Sequence, residues 1–293
     1  MAQVRGGMEI VVQSFRRGIG KSVGTRTHTF GKNMQPFETV ICASPKDFSK
    51  VRYVIQTIEK NVPTSGIRVI TPSPLDMPDI SSGVTIPVHI YADSDVIDFD
   101  RSLFSVRPNW VMQMFLKIFQ NVTETDWFFV VDADLFFNKP VSPFDNGKPL
   151  FLLSLDQTKK NTEPYFRFSR EMMGVDRVYH RTFVAETVLY HKQLVRKMIS
   201  DAGLPSAMSF MKKSAEIIRK GCYPAESELY ASYVWSRHPG VYGVKPLSVW
   251  HGGIYDRAYE EVEIIDRMAE ASRHPWDVYT MHTWETKPWS STE

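Results

Sequence analysis

Two carboxylates separated by one small residue, Asp132-Ala133-Asp134, are the part of this 293-residue chain best equipped for chemistry. They follow Trp127-Phe-Phe-Val-Val131, an unbroken apolar run that reads as a buried strand, and Leu135-Phe-Phe137 resumes the apolar pattern beyond them. Acidic groups at the end of a buried strand are costly unless a cation or hydrogen-bond donors compensate them. Open α/β sheets bind ligands at the carboxyl ends of their strands. An acidic pair placed there suggests a hard divalent metal ion holding phosphate oxygens. The plainer reading is a turn whose aspartates cap the next element.

The elements that must position this pair can be followed along the sequence. Thr39 to Ala43 is strand-like, Ser44 to Asp47 is a turn with helix-start residues, and Phe48 to Lys60 carries helical apolar spacing. Gly66 to Ile70 is a second short strand. Val84 to Tyr91 is a third, which Pro87 assigns to an edge or a bulge. Pro108 to Asn121 forms a helix with Val111, Met114, Phe115, Ile118 and Phe119 on one face. Strands are further expected at Leu150–Ser154, within Arg181–Tyr190 and at Val241–Trp250. Helices are expected at His191–Ala202, Met208–Lys220 and Pro224–Ser236. Strand–helix alternation of this kind predicts an α/β fold with a mainly parallel, Rossmann-like central sheet flanked by helices. Nothing resembles a linker, so one domain is expected. Ahead of it, residues 1–36 form an extension made of a strand, Glu9 to Phe15, and a Gly-, Lys- and Thr-rich loop. The loop's Gly18-Ile-Gly-Lys-Ser22 lacks the full phosphate-loop spacing.

Composition narrows the function. Hydrophobic content of 43% and charged content of 23% suit an ordinary globule with a substantial core. A net charge of +2 gives no concentrated basic face for nucleic acid. Two cysteines are too few for a disulfide framework, and no apolar stretch reaches the ~20 residues of a membrane span. The expectation is a cytoplasmic protein with no nucleic-acid partner and no transmembrane segment. Aromatic content of 13% would suit sugar or base stacking, although core packing also explains it.

Three stretches then carry a resemblance. They are Thr39-Val-Ile-Cys-Ala-Ser-Pro-Lys-Asp47; Asn109-Trp-Val-Met-Gln113 with Leu116-Lys117, leading to Asp132-Ala133-Asp134; and Pro224-Ala-Glu-Ser-Glu-Leu-Tyr230. The layout resembles a GT-A glycosyltransferase, and the closer likeness is to the DUF6492-type glycosyltransferases of surface-glycan biosynthesis. Ser227 and the unmatched first 36 residues depart from that pattern. The resemblance implies a nucleotide-sugar half over residues 37–140 and an acceptor half over 141–293. It also implies transfer of a sugar from a nucleotide-diphosphate sugar, with a UDP-sugar preferred, to a glycan or polysaccharide acceptor.

Such transfer needs the charge developing on the departing diphosphate to be neutralised, which Mn²⁺ or Mg²⁺ can do. Asp134 is then the expected direct metal ligand, with Asp132 and its neighbour Ala133 facing the donor's ribose or a bound water. A third ligand late in the chain is implied, with His251 in Trp250-His-Gly-Gly253 preferred and His282 as the rival. Ser44, Asp47, Thr71 and Asp93 fall where this fold holds base and ribose. Lys117 could reach the diphosphate, brace Asp132, or simply be solvated, and Gln113 lies beside it on the same helix. Inversion at the anomeric carbon requires a carboxylate to take the acceptor's proton. Glu226 and Glu228 point about 200° apart on a helix, so only one can face the sugar. Glu228 is preferred as base because Glu226 sits nearer the cap. Two alternatives stand beside this reading. One is a haloacid-dehalogenase-type phosphatase with Asp132 as nucleophile; Phe136 and the mid-chain position of the motif argue against it. The other is a non-catalytic glycan-binding module.

Overall fold

The computed structural model describes residues 35–154, 159–177, 179–255 and 258–283. The expected strand at Glu9 to Phe15, the Gly18–Ser22 segment and the tail from Trp284 lie outside these residues. The described chain runs β1 (Phe37–Cys42), α1 (Phe48–Asn61), β2 (Ile67–Thr71), β3 (Val88–Ala92), α2 (Asp93–Val96) and α3 (Pro108–Phe119). Next come β4 (Trp127–Asp132), β5 (Leu135–Phe137), β6 (Phe144–Asp145), β7 (Lys148–Ser154) and α4 (Lys159–Met173). The rest is β8 (Thr187–His191), α5 (Lys192–Asp201), α6 (Ala207–Arg219), α7 (Glu226–Arg237), β9 (Gly243–Leu247), β10 (Val249–Tyr255), α8 (Glu261–Ala271) and β11 (Val278–Thr283).

Five strands form the central sheet in the order β3-β2-β1-β4-β8, parallel except for the antiparallel β4–β8 pair. The inner strands are buried on both faces, which is why β1 and β4 read as continuous apolar runs rather than alternating ones. Phe37, Val40, Ile41, Phe129 and Val131 are at the centre of one hydrophobic core. Glu38 is the exception on β1. Its carboxylate accepts from the guanidinium of Arg68 on β2 and from the Glu124 and Thr125 amides, so the buried charge is compensated. The expected third strand begins only after Pro87. The proline lacks a donor for the ladder, but its carbonyl accepts from Ile67 N (2.9 Å), and β3 is an edge strand.

Two smaller sheets complete the single mixed α/β domain. In one, β11 runs parallel to β10 and antiparallel to β5; in the other, β7 pairs antiparallel with β6 and parallel with β9. The single segment expected at Val241–Trp250 is therefore two strands in different sheets. Helices α4 and α8 and strand β11 were not expected. The aromatic stretch Tyr165 to Phe168 belongs to α4. Arg177 nearby lies 3.8 Å over the Phe166 ring and donates to Tyr179 O, so it holds a loop. Among the described residues no helix is long and apolar enough to cross a membrane.

Candidate functional site at the ends of β1 and β4

In the central sheet the chain runs outward through β1, β2 and β3 and returns to place β4 on the other side of β1. Ligands bind where the strand order reverses in this way, outside the carboxyl ends of the two diverging strands. The register puts Cys42, the last residue of β1, beside Asp132, the last residue of β4. The crevice is therefore formed by Ala43 to Asp47 on one side and Asp132 to Asp134 on the other.

Each acid of the pair has its own partner. Asp132 Oδ1 accepts from Lys117 Nζ (2.7 Å), and the same ammonium donates to Glu226 Oε1 (2.8 Å). Lys117 lies on α3 and is buried, so the aliphatic stem follows the helix's apolar face while the head group joins the two carboxylates. Burial opposes the ammonium's charge, but Asp132 and Glu226 outweigh it and hold Lys117 above the usual lysine range. Burial also raises the Asp132 carboxyl, with Lys117 opposing and the Asp134 charge assisting.

Asp134 belongs to a different network. Its Oδ2 lies 2.9 Å from His282 Nδ1, and its backbone carbonyl accepts from Met281 N (2.9 Å). Burial pulls Asp134 upward, but the hydrogen bond and charge of His282, with Lys50 and Lys46, hold it below the ordinary carboxylate value. For His282, burial works against the imidazolium, and contact with Asp134 overrides it, so its pKa is raised. His251, the histidine preferred from the sequence, contacts Thr280 Oγ1 (3.1 Å), and its ring stacks on His282 at 5.8 Å. The structure thus brings the rival histidine into direct contact with Asp134 and sets His251 behind it.

Helix α1 supports the Asp134 side of the crevice. Lys50, fully buried, donates to Met281 O (2.9 Å) and pairs with Asp47 Oδ1 (2.8 Å). Ser44 Oγ donates to Asp47 Oδ2 (2.7 Å), so both of these expected binding residues are engaged with one another at the crevice edge. Thr57 Oγ1 accepts from Phe137 N, and Asn61 donates to Phe137 O, which fixes β5 immediately after the acidic pair. Gln113 Nε2 reaches Cys42 O (3.2 Å) and braces the end of β1. Thr71 ends β2 fully buried, its Oγ1 accepting from Ser73 N. Asp93 follows β3, 3.9 Å from Arg101. Both are at carboxyl ends of parallel strands, but further out along the sheet.

Glu228, preferred as base from the sequence, has its carboxylate engaged by other groups of the protein. It has no solvent exposure, and all three contacts it makes are as an acceptor: Oε2 from Thr182 Oγ1 (2.9 Å) and Phe183 N (2.7 Å), and Oε1 from Ser232 Oγ (2.7 Å). It anchors the 182–183 loop to α7. Glu226, nearer the helix start, is the glutamate that Lys117 links to Asp132.

One residue escaped the sequence reading. Glu186, just before β8, accepts from Asp132 N through its backbone carbonyl (3.0 Å). Its side chain carries a buried oxygen, Oε2, with no hydrogen-bond partner. Burial, chiefly, pushes this carboxyl up to about 7, and the charge of Asp132 adds to it. Because β8 is antiparallel to its neighbour, its amino end rather than its carboxyl end meets the crevice.

These residues fit a hard divalent cation. Among the described residues no three His, Cys, Asp or Glu side chains are already drawn together as a cage. A cation held by one or two carboxylates and completed by substrate phosphates and water needs no such cage. The paired acids and the partnerless oxygen of Glu186 supply the required hard donors.

A family model described as "Family of unknown function (DUF6492)" matches residues 28–286. No curated protein matches the chain.

Proposed function

The chain belongs to the DUF6492 family of unknown function, and from that starting point we propose that it is a metal-dependent glycosyltransferase with a GT-A type fold. Its donor is a nucleotide-diphosphate sugar, with a UDP-sugar preferred, and its acceptor is a glycan or polysaccharide. The observation that carries the reading is the acidic pair at the sheet's reversal point, with Asp132 clamped by buried Lys117 and Asp134 against His282. A bound Mn²⁺ or Mg²⁺ would neutralise the charge that develops on the departing diphosphate.

Within this reading, Asp134 and His282 hold the cation. Lys117 orients Asp132 and favours its ionised form, and its ammonium adds positive potential beside the leaving group. Ser44 and Asp47 face the nucleoside from the end of β1. Glu226 is the helix-start carboxylate joined through Lys117 to Asp132, and it is assigned to accept the acceptor hydroxyl's proton in an inverting transfer.

A thermal-shift panel of nucleoside diphosphates with and without Mn²⁺ tests the proposal. Stabilisation by one diphosphate only when Mn²⁺ is present, abolished in Asp134→Ala, is the expected result. No metal-dependent stabilisation by any diphosphate would remove its basis. Phosphate release from small phosphoesters would instead favour the phosphatase alternative.

A further inference from the structure

Glu186 has no part in the transfer proposed above, yet its position is tightly specified. Strands β4 and β8 pair with Val131 opposite Thr187 and Val130 opposite Val188. Extending this antiparallel register by one residue sets Glu186 opposite Asp132, and the Asp132 N–H donating to Glu186 O at 3.0 Å continues the ladder. Directly opposed residues in an antiparallel pair project from the same face, with Cβ atoms about 5 Å apart. Like charges so placed repel unless something lies between them. Asp132 has Lys117 for compensation. Glu186 Oε2, closed off from solvent, has no hydrogen-bond partner. A buried carboxylate oxygen without a donor is a large cost that native structures rarely leave uncompensated. Asp134 and His282 are both within electrostatic reach of it.

We propose that Glu186 is a second carboxylate arm of the divalent-cation site, turning Oε2 onto the ion beside Asp134 and His282. This rests on the metal-dependent reading of the site. The ion it suits is hard and oxygen-preferring, Mn²⁺ or Mg²⁺ rather than a thiophilic metal. Without the cation the arm is left as a buried carboxyl whose Oε2 has no partner. Loading the cation converts that liability into a ligand, so metal binding and local stability are coupled through one side chain.

The test uses the full chain and Mn²⁺ alone, read by calorimetry and by the Mn²⁺ electron paramagnetic resonance signal, with melting temperatures recorded in chelator. Glu186→Gln keeps the shape and removes the charge. It should weaken Mn²⁺ binding tenfold or more, the scale seen when residues supporting a metal site are removed, while melting at or above the wild-type temperature in chelator. Glu186→Asp, which keeps the charge on a shorter arm, should bind with intermediate affinity. Wild-type Mn²⁺ affinity in Glu186→Gln would overturn this inference and leave the wider reading standing. A wild-type protein that binds no Mn²⁺, with or without a nucleoside diphosphate, would overturn both.

Discussion

His282 Nδ1 lies 2.9 Å from Asp134 Oδ2, across 148 residues of chain. The contact exists because β11 lies against β5, whose first residue directly follows Asp134, with Thr280 paired to Leu135. His251 is one layer further out, on Thr280. His282→Ala should therefore abolish the Mn²⁺-dependent part of nucleoside-diphosphate stabilisation, and His251→Ala should reduce it much less. Differential scanning fluorimetry on the two variants distinguishes them, and the reverse order would return the ligand role to His251.

Lys117 is a buried cation shared by two carboxylates, and its loss leaves both uncompensated. Breaking such an arrangement by removing one partner costs about 3–5 kcal/mol. Lys117→Met should lower the urea midpoint accordingly, and Lys117→Met combined with Glu226→Gln should recover part of the loss. An unchanged midpoint in the single variant would show that Lys117 is not the clamp described.

The two glutamates at the start of α7 should separate cleanly. Glu228→Gln replaces an all-acceptor group with one that carries an amide donor, facing three donors. A cost of roughly 1–3 kcal/mol is expected, with turnover of the folded protein retained. Glu226→Gln should instead reduce turnover by about 10²–10⁴, the contribution of a positioned base. Steady-state kinetics set beside denaturation curves would expose an exchange of roles.

Cys42 ends β1 beside Asp132, and burial, chiefly, pushes its thiol up to about 12, against the pull of Lys117. A raised thiol pKa leaves the neutral, unreactive form dominant at pH 7 to 9, since the thiolate is the nucleophile. The native protein should resist alkylation at Cys42 throughout that range and label rapidly once unfolded. Mass spectrometry after brief iodoacetamide exposure reads this directly, and fast native labelling at pH 8 would contradict it.

Much of the site's first half was legible because it is local. The acidic pair, the strand before it and the helix carrying Lys117 lie within residues 108–134, and 3.6-residue and continuous apolar patterns identify such elements directly. Pro87 pointed to an edge or a bulge because a missing N–H has a fixed consequence in a sheet, and the strand that follows it is an edge strand. What could not be read was pairing. Strand β11 is a short mixed segment whose meaning comes from lying between β10 and β5. Glu226 and Glu228 are separated by one residue, and helix geometry alone left open which of them meets Lys117.

By itself the amino-acid order located the first strands of the central sheet to within a few residues, and placed two acids at the end of one strand. Local periodicity and backbone chemistry are enough for that. Only the tertiary structure decided which histidine meets Asp134, which glutamate Lys117 draws inward, and that Glu186 stands opposite Asp132. Those choices depend on the direction and neighbours of strands far apart in the chain, and long-range register leaves no periodic trace in a single sequence.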